Sequence, residues 1–441
     1  MGNAFRIWGF SFPSSLGVSS FGLPSGLGIS SFGLDTAFFA RRAYPVYGTA
    51  CPMNEPPKIM CAASVLNGNA AFSTVGDTVI LPEESITRED LRDVDVLITR
   101  SKAKINRDLL EGTPVRFVGC AVAGTDHVDE AFLEEAGIAW CHAPGCNANS
   151  VAEQMITTLL IEAERYSLAC DEIMLGIIGV GHIGRRVQEK AMAVGISTLL
   201  NDPPREAAEG MDAGPFVVLD DLLEACNVVT LHVPYTRSGP HATEQMLNHR
   251  FVETLSPGSL LFNAARGEIM DSEAVLMGLE HGILRQAALD VWENEPRIRK
   301  DLLDAVEIGT PHIAGYSYEG RLNGTQMVYD ELCHFLEVEP VWSSDELATE
   351  GALPEQVIDG RGRSDQETLT ALVSAASPLL EDDRRFREGA SADPDVMGRH
   401  FVHCRRNYPT RREFAAIRFL LRNVSPTVSD IAWKLGFQLS D

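Results

Sequence analysis

Leu175-Gly176-Ile177-Ile178-Gly179-Val180-Gly181-His182-Ile183-Gly184 sets a glycine-rich turn directly behind an apolar strand, and the amphipathic run 185–194 reads as the helix that this turn opens. Each glycine has its own expected use. Gly179 permits a tight turn, Gly181 lets backbone approach a pyrophosphate, and Gly184 allows close packing of helix on strand. The helix N-terminus adds N–H donors and the positive end of the helix dipole. Asp202 follows about twenty residues on, at the end of the next strand, where a carboxylate can accept hydrogen bonds from ribose hydroxyls. Its charge would repel a 2′-phosphate, so the pattern favours NAD over NADP. Alone, the glycines also suit an ordinary strand-to-helix turn and Asp202 an ordinary residue before Pro203-Pro204. The order of strand, turn, helix and acid is what favours a nucleotide site.

Outward from this stretch, short β-rich runs alternate with helix-length segments. The runs lie at 59–62, 94–99, 117–121, 175–179, 198–201, 228–232 and 259–263. Such alternation predicts parallel sheets joined by right-handed crossovers, in two units at about 58–148 and 149–312. After Trp342 the sequence becomes polar and acidic, then mixed, and carries the basic cluster Arg405, Arg406, Arg411 and Arg412. This predicts a third, smaller domain. Residues 1–52 are rich in Ser, Gly, Phe and Leu, with Ser-Ser-Phe-Gly-Leu at 19–23 and again at 30–34. They read as a disordered extension or a mis-assigned start ahead of Met53, with a targeting peptide as the alternative.

A net charge of −25 opposes nucleic-acid or anionic-membrane partners, and any anionic substrate must be held by local cations. The 9 cysteines are odd in number and contain no Cys-x-x-Cys pair, which argues against a disulfide framework or a zinc site and favours a reducing cytoplasm. No metal is expected. No apolar run approaches the roughly 18 residues that a membrane span requires.

Three ionisable residues follow the nucleotide motif, each near the end of a predicted strand: Arg266 in Asn263-Ala264-Ala265-Arg266-Gly267, Glu295 in Trp292-Glu293-Asn294-Glu295-Pro296, and His312 in Thr310-Pro311-His312-Ile313-Ala314-Gly315-Tyr316. Carboxyl ends of strands in such sheets face the ligand crevice, so all three can converge there. Taking a hydride from a secondary alcohol needs a base for the hydroxyl proton, a role an imidazole fills near neutral pH. A neighbouring carboxylate orients the ring, and an arginine fork binds a substrate carboxylate. Singly, each has a bland reading, as a core histidine, a loop acid and a surface cation. Together, in this order behind a nucleotide motif, they point to catalysis.

These residues resemble the Arg, Glu and His of the D-isomer-specific 2-hydroxyacid dehydrogenases. The segments 123–129, 143–148, 201–205 and 312–320 are similar to one branch of that family, and 405–408, 411–413 and 434–437 are similar to that branch's dimerisation domain. The resemblance implies an α/β fold of two doubly wound parallel-sheet domains. A Rossmann-type NAD domain at 149–312 would be inserted in a flavodoxin-like substrate domain at 58–148 and 313–342, followed by a small α+β dimerisation domain at 343–441. Residues 1–57 would stand outside these domains. It further implies a homodimer and a phosphorylated hydroxy acid as substrate, oxidised by NAD at its 2-hydroxyl. Ser101 and Tyr316 match positions that contact substrate, while Ala264, Ala265, Arg266, Asp290 and Gly315 match positions lining the cofactor. Two positions depart: Val122 and Val233 stand where threonines usually approach substrate and cofactor. Another hydroxy acid, such as 3-phosphoglycerate or hydroxypyruvate, and a NAD-sensing binding role remain alternatives.

Overall fold

A computed structural model describes residues 55–210, 214–345, 347 and 354–440. The N-terminal extension and the start at Met53 lie outside the described residues, apart from 55–57. Five strands, β1 (Lys58–Ala62), β2 (Asp77–Leu81), β3 (Val96–Thr99), β4 (Phe117–Cys120) and β5 (Ala139–His142), form one parallel sheet in the order β2-β1-β3-β4-β5. The inner strands β3 and β4 are buried throughout, which is why they read as continuous apolar runs. The edge strand β2 has the sequence Asp-Thr-Val-Ile-Leu, with three exposed residues. It carries neither a buried run nor strict alternation, and the sequence pattern passes over it.

Six more strands form the second sheet: β6 (Met174–Ile178), β7 (Ser197–Asn201), β8 (Val228–Leu231), β9 (Ser259–Asn263), β10 (Leu284–Leu289) and β11 (Ile308–Gly309), in the order β11-β10-β9-β8-β6-β7. Beyond β7 a single parallel bridge joins Leu200 to Phe216, the remnant of one further strand. With it the order is that of a dinucleotide-binding sheet, in which the winding reverses between β6 and β8 and opens a crevice at their carboxyl ends.

The chain crosses between the two sheets twice. Helix α1 (Ala148–Arg165) leads into the second sheet, and helix α3 (Tyr318–Leu336) leads back. Helix α2 (His182–Ala193) opens directly behind the glycine turn. Val328, Tyr329, Leu332 and Phe335 of α3 bury among Ile98, Phe117 and Val118 of the first sheet, so residues beyond the second sheet complete the core of the first. Helix α1 is buried on nearly all sides, including Ser150, Glu153, Gln154, Thr157 and Thr158. Thr157 and Thr158 satisfy their hydroxyls by donating to the carbonyls of Glu153 and Gln154 one turn back.

What covers the outer side of α1 is the C-terminal segment. Its strands β12 (Gln356–Asp359), β13 (Arg418–Arg422) and β14 (Gln438–Ser440) are parallel, in the order β12-β13-β14. Helices α4 (Asp365–Ala376), α5 (Leu379–Glu388) and α6 (Pro394–Arg406) follow β12, and α7 (Pro426–Leu435) carries the chain from β13 to β14. The expectation of a separate α+β unit is therefore modified in one respect. Leu369, Leu372, Phe414, Phe419 and Leu435 bury in the same apolar cluster as Val151, Met155 and Leu159 of α1, so this segment shares its core with the second sheet. A polar network fastens it. Arg411 donates to Gln154 Oε1 at 2.6 Å and to the Ser150 hydroxyl and the Ala314 carbonyl. Glu413 accepts Asn149 Nδ2 and Ser317 Oγ, each at 2.7 Å. No helix among the described residues is long and apolar enough to cross a membrane.

Candidate active site

The turn between β6 and α2 has the predicted form. Gly179 has φ 86°, and a Cβ there would lie 2.7 Å from the His232 carbonyl oxygen. A Cβ on Gly184 would lie 2.1 Å from the Gly179 oxygen, so only glycine lets the helix pack this closely on the strand. A Cβ on Gly181 would meet nothing within 4 Å, leaving open space above the turn. Asp202 caps the helix after β7. Its Oδ1 accepts the Arg205 N–H at 3.1 Å and its Oδ2 the Val180 N–H at 2.8 Å, which ties the acid to the glycine turn. Val233 packs partly buried beside Gly179. These residues fit a dinucleotide: an open backbone turn at a helix N-terminus for the pyrophosphate, with a carboxylate alongside for the ribose.

A cavity of about 680 Å³ lies at the carboxyl ends of both sheets, lined among others by Ser101, Val122, Ala264, Arg266, Asp290, Glu295, His312, Gly315 and Tyr316. Ala265 is buried beside it. The structure thus gathers the three candidate catalytic residues and the three candidate substrate residues in one space. His312 Nδ1 lies 2.8 Å from Glu295 Oε2, and Glu295 Oε1 accepts the Trp292 N–H at 3.0 Å. Burial pushes the Glu295 pKa up, but the His312 charge and hydrogen bond, the Arg405 charge and the Trp292 N–H outweigh it and hold the carboxyl below the usual carboxylate range. An ionised carboxylate at this distance fixes the ring and keeps a proton on Nδ1, which leaves Nε2 as the basic nitrogen.

His312 has φ 55°, a left-handed conformation uncommon outside glycine and costing on the order of 1–3 kcal/mol. Its surroundings over-determine it. The His312 N–H donates to the Asp290 carbonyl at 2.6 Å. The Asp290 carboxylate, at the end of β10, accepts Thr310 Oγ1 at 2.6 Å, Ile313 N at 2.8 Å and Ala314 N at 2.9 Å. Asp290 was expected to line the cofactor; it does line the cavity, and it also holds the His312 loop in shape.

Arg266 lies just beyond β9 with Nε 3.0 Å from Asp126 Oδ2 and Nη1 2.8 Å from the Ala265 carbonyl. Part of its fork is thus engaged within the protein. A Cβ on Gly124 would lie 2.3 Å from Nη2, so that glycine makes room for the guanidinium. Among the other lining residues, sequence reasoning gave no site role to Arg100, His127 or Arg405. Arg100 directly precedes Ser101, and Arg405 belongs to the basic cluster that was assigned to dimerisation. Neither stands in a pattern that names a site.

An open dinucleotide turn facing a histidine–carboxylate pair with an arginine nearby defines the site of a nicotinamide-dependent dehydrogenase. Residues 150–314 match the model of the D-isomer specific 2-hydroxyacid dehydrogenase NAD binding domain. A Marinobacter nauticus protein named erythronate-4-phosphate dehydrogenase is 39% identical over 369 residues, covering 83% of this chain and 96% of that protein. An Escherichia coli O157:H7 protein of the same name is 38% identical over 380 residues, covering 86% of this chain and 98% of its own length. Among solved structures, the NAD-dependent formate dehydrogenase of Staphylococcus aureus in complex with NAD is similar with a TM-score of 0.53 and 25% identity, covering 65% of this chain and 97% of that one. The chain belongs to the D-isomer specific 2-hydroxyacid dehydrogenases, within the erythronate-4-phosphate dehydrogenase family. It is a dehydrogenase that uses NAD.

Proposed function

We propose that this chain oxidises 4-phospho-D-erythronate at its 2-hydroxyl to (R)-3-hydroxy-2-oxo-4-phosphooxybutanoate, a step toward pyridoxal 5′-phosphate. The observation that carries the reading is the 2.8 Å contact of His312 Nδ1 with Glu295 Oε2, in a cavity that also holds Arg266 and Tyr316. His312 Nε2 takes the hydroxyl proton, and Glu295 stabilises the imidazolium that forms. Arg266 binds the substrate carboxylate through its Nη edge and polarises the nascent carbonyl. Bound NAD supplies the hydride acceptor, held by Gly179, Gly181, Gly184 and Asp202, with Val233, Ala264, Ala265, Asp290 and Gly315 around it. Ser101, Val122 and Tyr316 face the substrate. Residues 58–148 with 313–342 form the substrate unit in this reading, and 149–312 the NAD unit.

The test mixes purified protein with NAD and, side by side, 4-phosphoerythronate, 3-phosphoglycerate and glycerate, with a 2-oxo acid added to reoxidise NADH. Preferential turnover of 4-phosphoerythronate supports the reading, and preference for either other acid removes it. A homodimer through the C-terminal segment is part of the proposal. Val357, Leu380 and Trp433 of that segment are exposed and free to take part in such a contact. The eight described cysteines are all free thiols, which supports action in a reducing cytoplasm.

A further inference from the structure

Arg205 sits where the glycine turn meets the acid that follows β7. Asp202 Oδ2 accepts the Val180 N–H at 2.8 Å, and Arg205 Nη1 donates to the Val180 carbonyl at 2.7 Å. The backbone of one turn residue therefore holds a carboxylate and a guanidinium side by side. The Arg205 N–H also donates to Asp202 Oδ1 at 3.1 Å, and its guanidinium carbon lies 5.4 Å from the centre of the Phe216 ring. The Arg205 side chain is largely covered, with 19% exposure.

A cation in this place runs against the use of the site. The cofactor that Asp202 suits is NAD, whose adenosine ribose carries a hydroxyl where NADP carries a phosphate. A free guanidinium beside Asp202 would offset the charge that repels this phosphate, and its planar fork matches phosphate oxygens. The fork is not free. Nε donates to Glu209 Oε1 at 2.9 Å and Nη2 to Glu209 Oε2 at 2.7 Å, a bidentate pair one turn apart on the short helix Pro203–Glu209. With Nη1 on Val180, each of the three guanidinium nitrogens donates within the protein. The Glu209 hydrogen bond and charge, with the charge of Asp202, outweigh burial and raise the Arg205 pKa, so the group stays cationic. Two carboxylates against one guanidinium leave the trio with a net negative charge, which removal of Glu209 would cancel.

We propose that Glu209 is a specificity-determining residue for the cofactor that acts through Arg205, occupying a guanidinium fork that would otherwise take the 2′-phosphate of NADP. Discrimination then has two parts: repulsion by Asp202, and occupation of the adjacent cation by Glu209. Glu209 is thus a positioning residue, working by what it does to Arg205 and not by contact with the nucleotide. This goes beyond the proposed reaction and does not depend on which hydroxy acid is oxidised.

The test titrates NADH and NADPH, with no acid present, into wild type, Glu209→Gln, Glu209→Ala and a double variant that combines Glu209→Ala with Arg205→Gln. Binding is read from nicotinamide fluorescence. Glu209→Ala is expected to tighten NADPH binding about tenfold by freeing one bidentate cation, with NADH changed by no more than about threefold. Glu209→Gln, which loses the charge but retains an acceptor, should fall between wild type and Glu209→Ala. The gain should shrink at high salt, as a charge contact does, and the double variant should lose it. Comparable weakening of both nucleotides would show a structural role and overturn the proposal, as would NADPH binding that both Glu209 variants leave unchanged. A gain that survives Arg205→Gln would also overturn it, because the missing negative charge alone would then be the cause. Turnover with NAD and NADP is compared on 4-phosphoerythronate. A shift in nucleotide binding without turnover of that acid keeps this inference and removes the substrate assignment, whereas normal turnover with no shift removes the inference and keeps the assignment.

Discussion

The carboxylate of Asp290 accepts the backbone N–H of Ala314 at 2.9 Å, across a loop whose middle residue is the left-handed His312. Its other oxygen holds Thr310 Oγ1 and Ile313 N. Asp290→Asn keeps one oxygen for two of these donors but turns an amide toward the third. The loss should be about 1–3 kcal/mol of stability, read as a lower melting temperature. The kcat should fall at least about tenfold, because the base is no longer held in place. A variant that melts lower but turns over normally would show that the loop does not depend on this carboxylate.

His312→Ala is expected to lower kcat by about 10²–10⁴-fold and leave NAD binding nearly intact. Near-normal turnover would remove His312 from the reaction. Arg266→Lys should cost kcat/KM far more than twofold, because Asp126 and Ala265 already engage Nε and Nη1 and an ammonium cannot serve them and a substrate carboxylate together.

Burial pushes Glu153 up to about 8, against the pull of Lys190 at 3.8 Å. An acid whose pKa is higher in the folded chain than its ordinary 4.5 stabilises the fold most when protonated. Its contribution is greatest below the ordinary value and is lost as pH rises through the folded one. The melting temperature of wild type relative to Glu153→Gln should therefore fall from about pH 5 to about pH 8. Parallel melting curves across that range would mean that Glu153 is ionised throughout.

Val122 lines the cavity and packs partly buried on the first core. Val122→Thr keeps the shape and adds a hydroxyl. If the substrate's polar groups reach it, kcat/KM for 4-phosphoerythronate should rise about two- to tenfold, the worth of one hydrogen bond, with glycerate unimproved. A fall would mean that the hydroxyl is buried without a partner.

Ending the chain at Trp342 would strip Phe414, Phe419 and Leu435 from the cluster that includes Val151 and Met155 of α1, at roughly 1.5–3 kcal/mol for each large side chain. It would also remove Arg411 from Ala314. The truncated protein should therefore be insoluble or melt far lower, where an independent dimerisation domain would leave a stable monomer. Sedimentation and melting of the truncated chain decide between the two.

The parts of this molecule legible in its sequence are those set by local chemistry. The glycine turn at 179–184 is fixed by sterics within a few residues, and inner strands such as β3 and β8 announce themselves by burial on both faces. The convergence of Arg266, Glu295 and His312 on one cavity was legible because each lies beyond the carboxyl end of a strand. Edge strand β2 was not, since its exposed residues carry no periodicity. The second duty of Asp290 depends on three donors that its own segment does not contain. Arg100 and Arg405 line one cavity only because α6 reaches it from the C-terminal segment, and no spacing in the sequence records that.

Glu413 touches both places where the chain passes between the large units, at Asn149 on the way out and at Ser317 on the way back. The two connections are thus tied to each other through a single carboxylate. Removing the Glu413 carboxylate would therefore release both connections at once, far from the glycine turn and from His312.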